Sequence, residues 1–215
     1  MKAIVTNTKN CNFASQKLTT KKLKKYIYRC SLGAAILLGA CTNDSYAPKP
    51  IGYPKVELPP AGYQALADSV PFSANIAKSA FPRKKPSNPG DYFLDIEYPT
   101  IKAKIHLSYK QFEGKSKLQE MMNDAYLFTS KHQQRANGIS ENIIHNDANR
   151  VHGLLFSVSG NAASPMQFWV TDSSNHFLRG ALYFFTEPNA DSLKPYTQFV
   201  SKDVVELIGS LKWKK

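Results

Sequence analysis

MQFWVTDSSNHFLRGALYF, residues 166–184, holds two hydrophobic runs around a short polar centre. In the first run Met166, Phe168 and Val170 alternate with other residues, the period of a strand over residues 166–172. The second, residues 177–185, is nearly continuous in apolar side chains, as in a central strand covered on both faces. Residues 173–176 then read as a four-residue hairpin loop. With that loop length Asp172 faces Phe177 and Val170 faces Arg179, so Asp172 and Arg179 share one face as diagonal neighbours. A buried guanidinium without a partner is costly. The reading therefore predicts a structural ion pair between Asp172 and Arg179 that fixes the hairpin register.

Working outward, residues 151–159 alternate with Leu154, Phe156 and Val158 on one face, a third strand. Ala103, Ile105, Leu107 and Tyr109 give the cleanest alternation in the chain, and residues 93–98 form a strand before it, stopped by Pro99. Leu118, Met121, Met122, Ala125, Phe128, Thr129 and His132 recur at helical spacing, predicting an amphipathic helix over 115–134 that ends near Asn137 and Gly138. Asp191 or Ser192 caps a last helix that tolerates Pro195 in its first turn and presents Val200, Val204, Leu207, Ile208 and Leu211. The order is ββαβββα. It predicts one α+β domain over residues 91–215, with an antiparallel-dominated five-stranded sheet and two main helices.

Nine of the thirteen prolines lie in residues 42–92, which favours extended backbone. Tyr46, Tyr53, Tyr63, Phe72 and Phe81 are unusual in a plain spacer. Residues 41–90 are accordingly expected to be a Pro-rich tether that lies partly against the domain or a partner.

The net charge of +12 hints at nucleic acid, but its distribution removes that reading. Residues 1–40 carry eight basic and no acidic side chains, leaving 20 against 16, a balance of +4, for the rest. Six of those positive charges fall in residues 17–29, ahead of an uncharged run of eleven, residues 30–40, too short to span a bilayer. A basic segment, a short apolar segment and the exit Leu38-Gly39-Ala40-Cys41 resemble a bacterial lipoprotein signal. Residues 1–40 are then removed and Cys41 is the acylated, membrane-tethering residue. Two or more acyl chains, at about 0.8 kcal/mol per buried methylene, hold stably.

Cys41 is the last of three cysteines, so the body has neither a disulfide framework nor a cysteine zinc site. There is no G-x-S-x-G elbow, H-E-x-x-H motif or Gly-rich phosphate loop. Ser164, Asp172 and His176 make only the kind of triad that chance supplies in most domains. His106 lies on a polar strand face, His132 on the apolar helix face, and His145, His152 and His176 lack ligand spacing. No metal, cofactor, nucleic acid or enzymatic activity is expected. The small polar residues Asn161, Ser164, Ser174, Asn175 and His176 mark candidate partner-binding loops at the ends of the hairpin strands.

The runs GNAAS (160–164), MQFWVTDSSNHFLRGALYF (166–184) and EPNADSLKP (187–195) resemble the gliding-motility lipoprotein GldD family of Bacteroidota. YAPKPIGY (46–53), KIHLSYK (104–110) and the closing LKW (211–213) extend the likeness over roughly residues 38–215. The resemblance implies an envelope lipoprotein that supports gliding and type IX protein secretion by binding other envelope proteins, without catalysis. Only the lipid-bearing Cys41 carries over as a site. Thr42 to Ser45 lack an acidic export cluster, which points to a domain facing the periplasm. The competing expectation is a periplasmic lipoprotein hydrolase or ligand-binding module.

Overall fold

The computed structural model describes residues 56–66, 70–131 and 136–214. Cys41, the signal region and His132 lie outside the described residues. Along the chain run β1 (Tyr63–Ala65), β2 (Phe72–Ser73), β3 (Asn75–Ala77), β4 (Phe81–Lys85), β5 (Tyr92–Tyr98), β6 (Ala103–Gln111) and helix α1 (Lys115–Ser130). They are followed by β7 (Ala136–Asn146), β8 (Val151–Gly160), β9 (Met166–Thr171), β10 (His176–Phe184), helix α2 (Ala190–Ser210) and β11 (Lys212–Trp213).

The class is α+β, but the main sheet has seven strands rather than five, in the order β4-β5-β6-β10-β9-β8-β7, with every pair antiparallel. The two additional strands are its edges. β4 contains Pro82 and is exposed along most of its length. An edge tolerates the missing N–H of proline. β7 has no fully buried residue, its Ile139, Ile143 and Ile144 falling among polar neighbours, and a register shift between Ala136 and Gly138 sits where a helix stop was expected. Neither edge buries a continuous face, so neither alternates. Helix α1 ends at Ser130 and carries the chain from central β6 to the far edge.

One face of the sheet makes the main core. Leu94, Ile96, Ile105, Leu107, Phe168, Val170, Leu178 and Leu182 are buried against Val200, Val204, Leu207 and Ile208 of α2. Those four lie on one stripe of the helix, each worth about 1.5–3 kcal/mol when fully buried. The ring of Phe168 lies where a Cβ on Gly180 would stand, 2.2 Å away, so only glycine fits opposite it.

The chain enters this core well before residue 91. Phe72, Ile76 and Ala80 are buried with the sheet, β1 pairs with β3, and β2 pairs with β11 at the C-terminus. The Pro-rich segment thus joins the fold from Tyr63 onward, because its aromatic and branched residues cover the sheet face that α2 leaves open.

Candidate interaction surfaces

On the opposite face, helix α1 covers only part of the sheet. Phe112, Met121, Ala125, Phe156, Trp169 and Phe177 form a second, smaller core beneath it. The remaining part, β4-β5-β6, turns Arg83, Lys85, Asp95, Glu97, Lys104, His106, Ser108 and Lys110 to this side. Strand alternation dictates this, since their neighbours Leu94, Ile96, Ile105 and Leu107 are spent on the main core.

Asp95 anchors the polar side at 1% exposure. Its carboxylate accepts from Lys104 Nζ at 3.0 Å and lies 2.6 Å from His106 Nδ1, with Lys85 Nζ at 3.5 Å. An ionised carboxylate only accepts, so this geometry places a proton on His106 Nδ1. Burial pushes the Asp95 carboxyl up, but the His106 and Lys104 hydrogen bonds outweigh it and hold the group below the usual range. Asp95 was not singled out from the sequence, where its one signal was a charge between the apolar residues Leu94 and Ile96.

Arg179 sits where the polar side meets α1, opposite Ser108 of β6 and Trp169 of β9. Its Nη2 donates to Gln167 Oε1 at 2.9 Å, and the guanidinium lies 4.5 Å from the centre of the Phe128 ring. Burial lowers its proton affinity, partly opposed by Tyr183. With Phe93, His106, Ser108, Lys110 and Phe128 it lines an open cavity of about 300 Å³. Aromatic walls around cationic donors suit a ligand or peptide that carries both an anionic and an apolar group.

The expected Asp172–Arg179 ion pair does not form. Phe177 lies opposite Thr171, not Asp172, and Arg179 lies opposite Trp169, not Val170. The loop is one residue shorter than expected, with Ser173 left-handed at φ 64°. That single step puts Asp172 on the main-core face and Arg179 on the α1 face. Asp172 Oδ1 instead accepts the backbone amides of Ser174, Asn175 and His176 at 3.0, 3.0 and 2.9 Å. Its other oxygen lies 3.7 Å from Arg150 Nη2. Burial raises the Asp172 carboxyl, and the three amides more than reverse this, leaving it below the ordinary value.

The candidate loop residues separate to the two ends of β9. Ser164 is fully buried and donates to the Met166 carbonyl, and Asn161 Oδ1 accepts the Ala190 amide at the start of α2. At the far end Ser174 and Asn175 are exposed, whereas His176 is buried. Its Nδ1 lies 2.6 Å from the Tyr109 hydroxyl, and its ring stacks on Trp213 at 5.1 Å. Trp213 Nε1 in turn donates to the Arg150 carbonyl. Ser164 and His176 therefore stand a strand length apart, about 20 Å for six residues, and do not assemble with Asp172 into a triad.

The histidines read as scattered are not all so. His145 and His152 face each other across the β7–β8 hairpin, with ring centres 5.1 Å apart, and Asp147 stands beside both.

Among the described residues no helix is long and apolar enough to cross a membrane. The runs noted in the sequence converge spatially. Tyr109 of KIHLSYK, His176 of the long hairpin and Trp213 of LKW meet at one end of the sheet, while GNAAS meets EPNADSLKP at the other. No curated protein matches the chain. The sequence profile described as "Gliding motility lipoprotein GldD" matches residues 43–213, nearly the whole of the chain after Cys41, and the protein belongs to that family.

Proposed function

We propose that this lipoprotein is anchored in the cell envelope through acylated Cys41. In this reading it is a non-enzymatic accessory component of gliding motility and type IX protein secretion, with its domain facing the periplasm. The observation that carries the proposal is the polar side of β4-β5-β6, which among the described residues α1 leaves uncovered and where the Arg179 cavity is lined by Phe93 and Phe128. A binding role is supported by how the candidate catalytic groups are used. Ser164, Asp172 and His176 are engaged in backbone and side-chain hydrogen bonds that hold the fold.

The test is a deletion strain complemented with wild-type chain, with Cys41→Ala, and with a Lys104→Glu, Lys110→Glu double variant. Loss of both spreading and secretion on deletion is the expected result. Wild type should restore both, and neither variant should do so while its domain remains folded. A deletion that spreads and secretes normally would overturn the proposal. Mass spectrometry of the mature N-terminal peptide should show acylated Cys41 as its first residue.

A further inference from the structure

We propose that His145, Asp147 and His152 form a site for a Zn²⁺-class divalent transition-metal ion at the tip of the β7–β8 hairpin. Three observations converge on it. The register places His145 directly opposite His152, so the two imidazoles project from the same face of the hairpin. The turn between them supplies the carboxylate. Asp147 Oδ2 is 3.1 Å from His145 Nε2, and Asp147 Oδ1 is 3.8 Å from His152 Nε2. One ligand atom from each residue falls within 4.8 Å of the others.

Those separations have a direct chemical meaning. Ligand atoms on a tetrahedral Zn²⁺, with bonds of about 2.0–2.2 Å, stand about 3.3 Å from one another. The hairpin holds one ligand atom from each group within 4.8 Å, so closing on an ion draws them together by at most about 1.5 Å, a side-chain adjustment. Two imidazoles and one carboxylate select a borderline cation such as Zn²⁺ over Mg²⁺ or Ca²⁺, which want oxygen ligands throughout. Three protein ligands leave a fourth position for water or for a group from another molecule.

The turn is also built to hold its shape. Asn146 Oδ1 accepts the Asn149 amide, Arg150 N donates to the Asp147 carbonyl, and Arg150 adopts a left-handed φ of 51°. Beyond the turn, the Arg150 carbonyl accepts from Trp213 and its guanidinium lies beside Asp172, which ties the tip to the body of the domain. That placement sets the Arg150 guanidinium beside a different carboxylate, Asp172, rather than Asp147. The ligands are also accessible, with side-chain exposures of 67%, 77% and 32% for His145, Asp147 and His152.

The experiment titrates Zn²⁺ into the full chain, without a histidine tag and with Cys11, Cys30 and Cys41 blocked, by calorimetry. Co²⁺ serves as a visible-absorption probe of the same ligands. The expected result is one equivalent bound with a Kd of about 10 μM or tighter. His145→Ala and His152→Ala should each lose that equivalent and the Co²⁺ bands, and Asp147→Asn should weaken binding about tenfold. Thermal melting checks that each variant is folded, and Zn²⁺ should raise the melting temperature of wild type, by less that of Asp147→Asn, and not that of either histidine variant. Zn²⁺ binding unchanged in the His145→Ala, His152→Ala double variant would overturn the proposal, as would no binding by wild type.

Discussion

His176 and Tyr109, 67 residues apart in sequence, are joined by a 2.6 Å hydrogen bond between imidazole Nδ1 and phenol oxygen. The bond links the loop end of β10 to the end of β6, and Trp213 stacks over the same ring. It assigns His176 to holding the C-terminal strand against the sheet.

Replacing His176 by Ala should therefore cost about 1–3 kcal/mol, the range for a buried hydroxyl left without its partner. Burial lowers the His176 pKa below 6.5, with Arg150 acting the same way and Asp172 opposing. The unfolded chain then binds a proton more tightly than the folded one. Stability from this group is present above pH 6.5 and falls as pH drops below it. Urea midpoints measured from pH 8 to pH 5 should decline more steeply for wild type than for His176→Gln.

Asp172 and Arg179 occupy opposite faces, so they should not be energetically coupled. A double-mutant cycle between Asp172→Asn and Arg179→Met should be additive within about 0.5 kcal/mol. The same cycle between Arg179→Met and Gln167→Leu should show coupling above that margin, because Arg179 donates to Gln167.

Two glycines should respond oppositely to alanine. A Cβ on Gly153 would stand 1.9 Å from the Trp169 carbonyl oxygen, and backbone cannot step aside. Gly153→Ala should destabilise by about 1–3 kcal/mol. Gly209, near the end of α2, has nothing within 4 Å of such a Cβ, so Gly209→Ala should stabilise by about 0.4–1 kcal/mol. Thermal melting of the two variants reads both signs.

Asp203 is buried on the core side of α2, where desolvation raises its pKa above 3.8 against the opposing hydrogen bonds of Tyr98 and Tyr63. A raised carboxyl favours folding when protonated. That contribution is full below pH 3.8 and is lost as pH rises through the folded-state value. Asp203→Asn should consequently melt higher than wild type at pH 7, and the advantage should shrink toward pH 4.

The central strands were legible because each buries at least one continuous face, and burial writes alternation into β6 and apolar continuity into β10. The stripe of α2 was legible for the same reason. β4 and β7 were not, since an edge strand gains its place through backbone pairing, to which side-chain pattern is nearly blind. The ion pair failed on one residue of loop length, because Asp172 satisfies the turn amides and closes the hairpin one step early. The His145–His152 juxtaposition was hidden by the same gap, as cross-strand neighbours cannot be seen until both strands have been placed.

The position of β10 between β6 and β9 has a consequence for biogenesis. Until residue 176 emerges, the strands of the main sheet can pair only as two separate three-stranded ribbons, β4-β5-β6 and β7-β8-β9. Each ribbon then presents an apolar edge, β6 in one and β9 in the other, and open edges of that kind invite association with other chains. A chain that emerges N-terminus first meets this condition late, with only about the last fifth of its length still to come. Joining the ribbons therefore completes the main sheet, and it falls to the same hairpin whose register Asp172 sets.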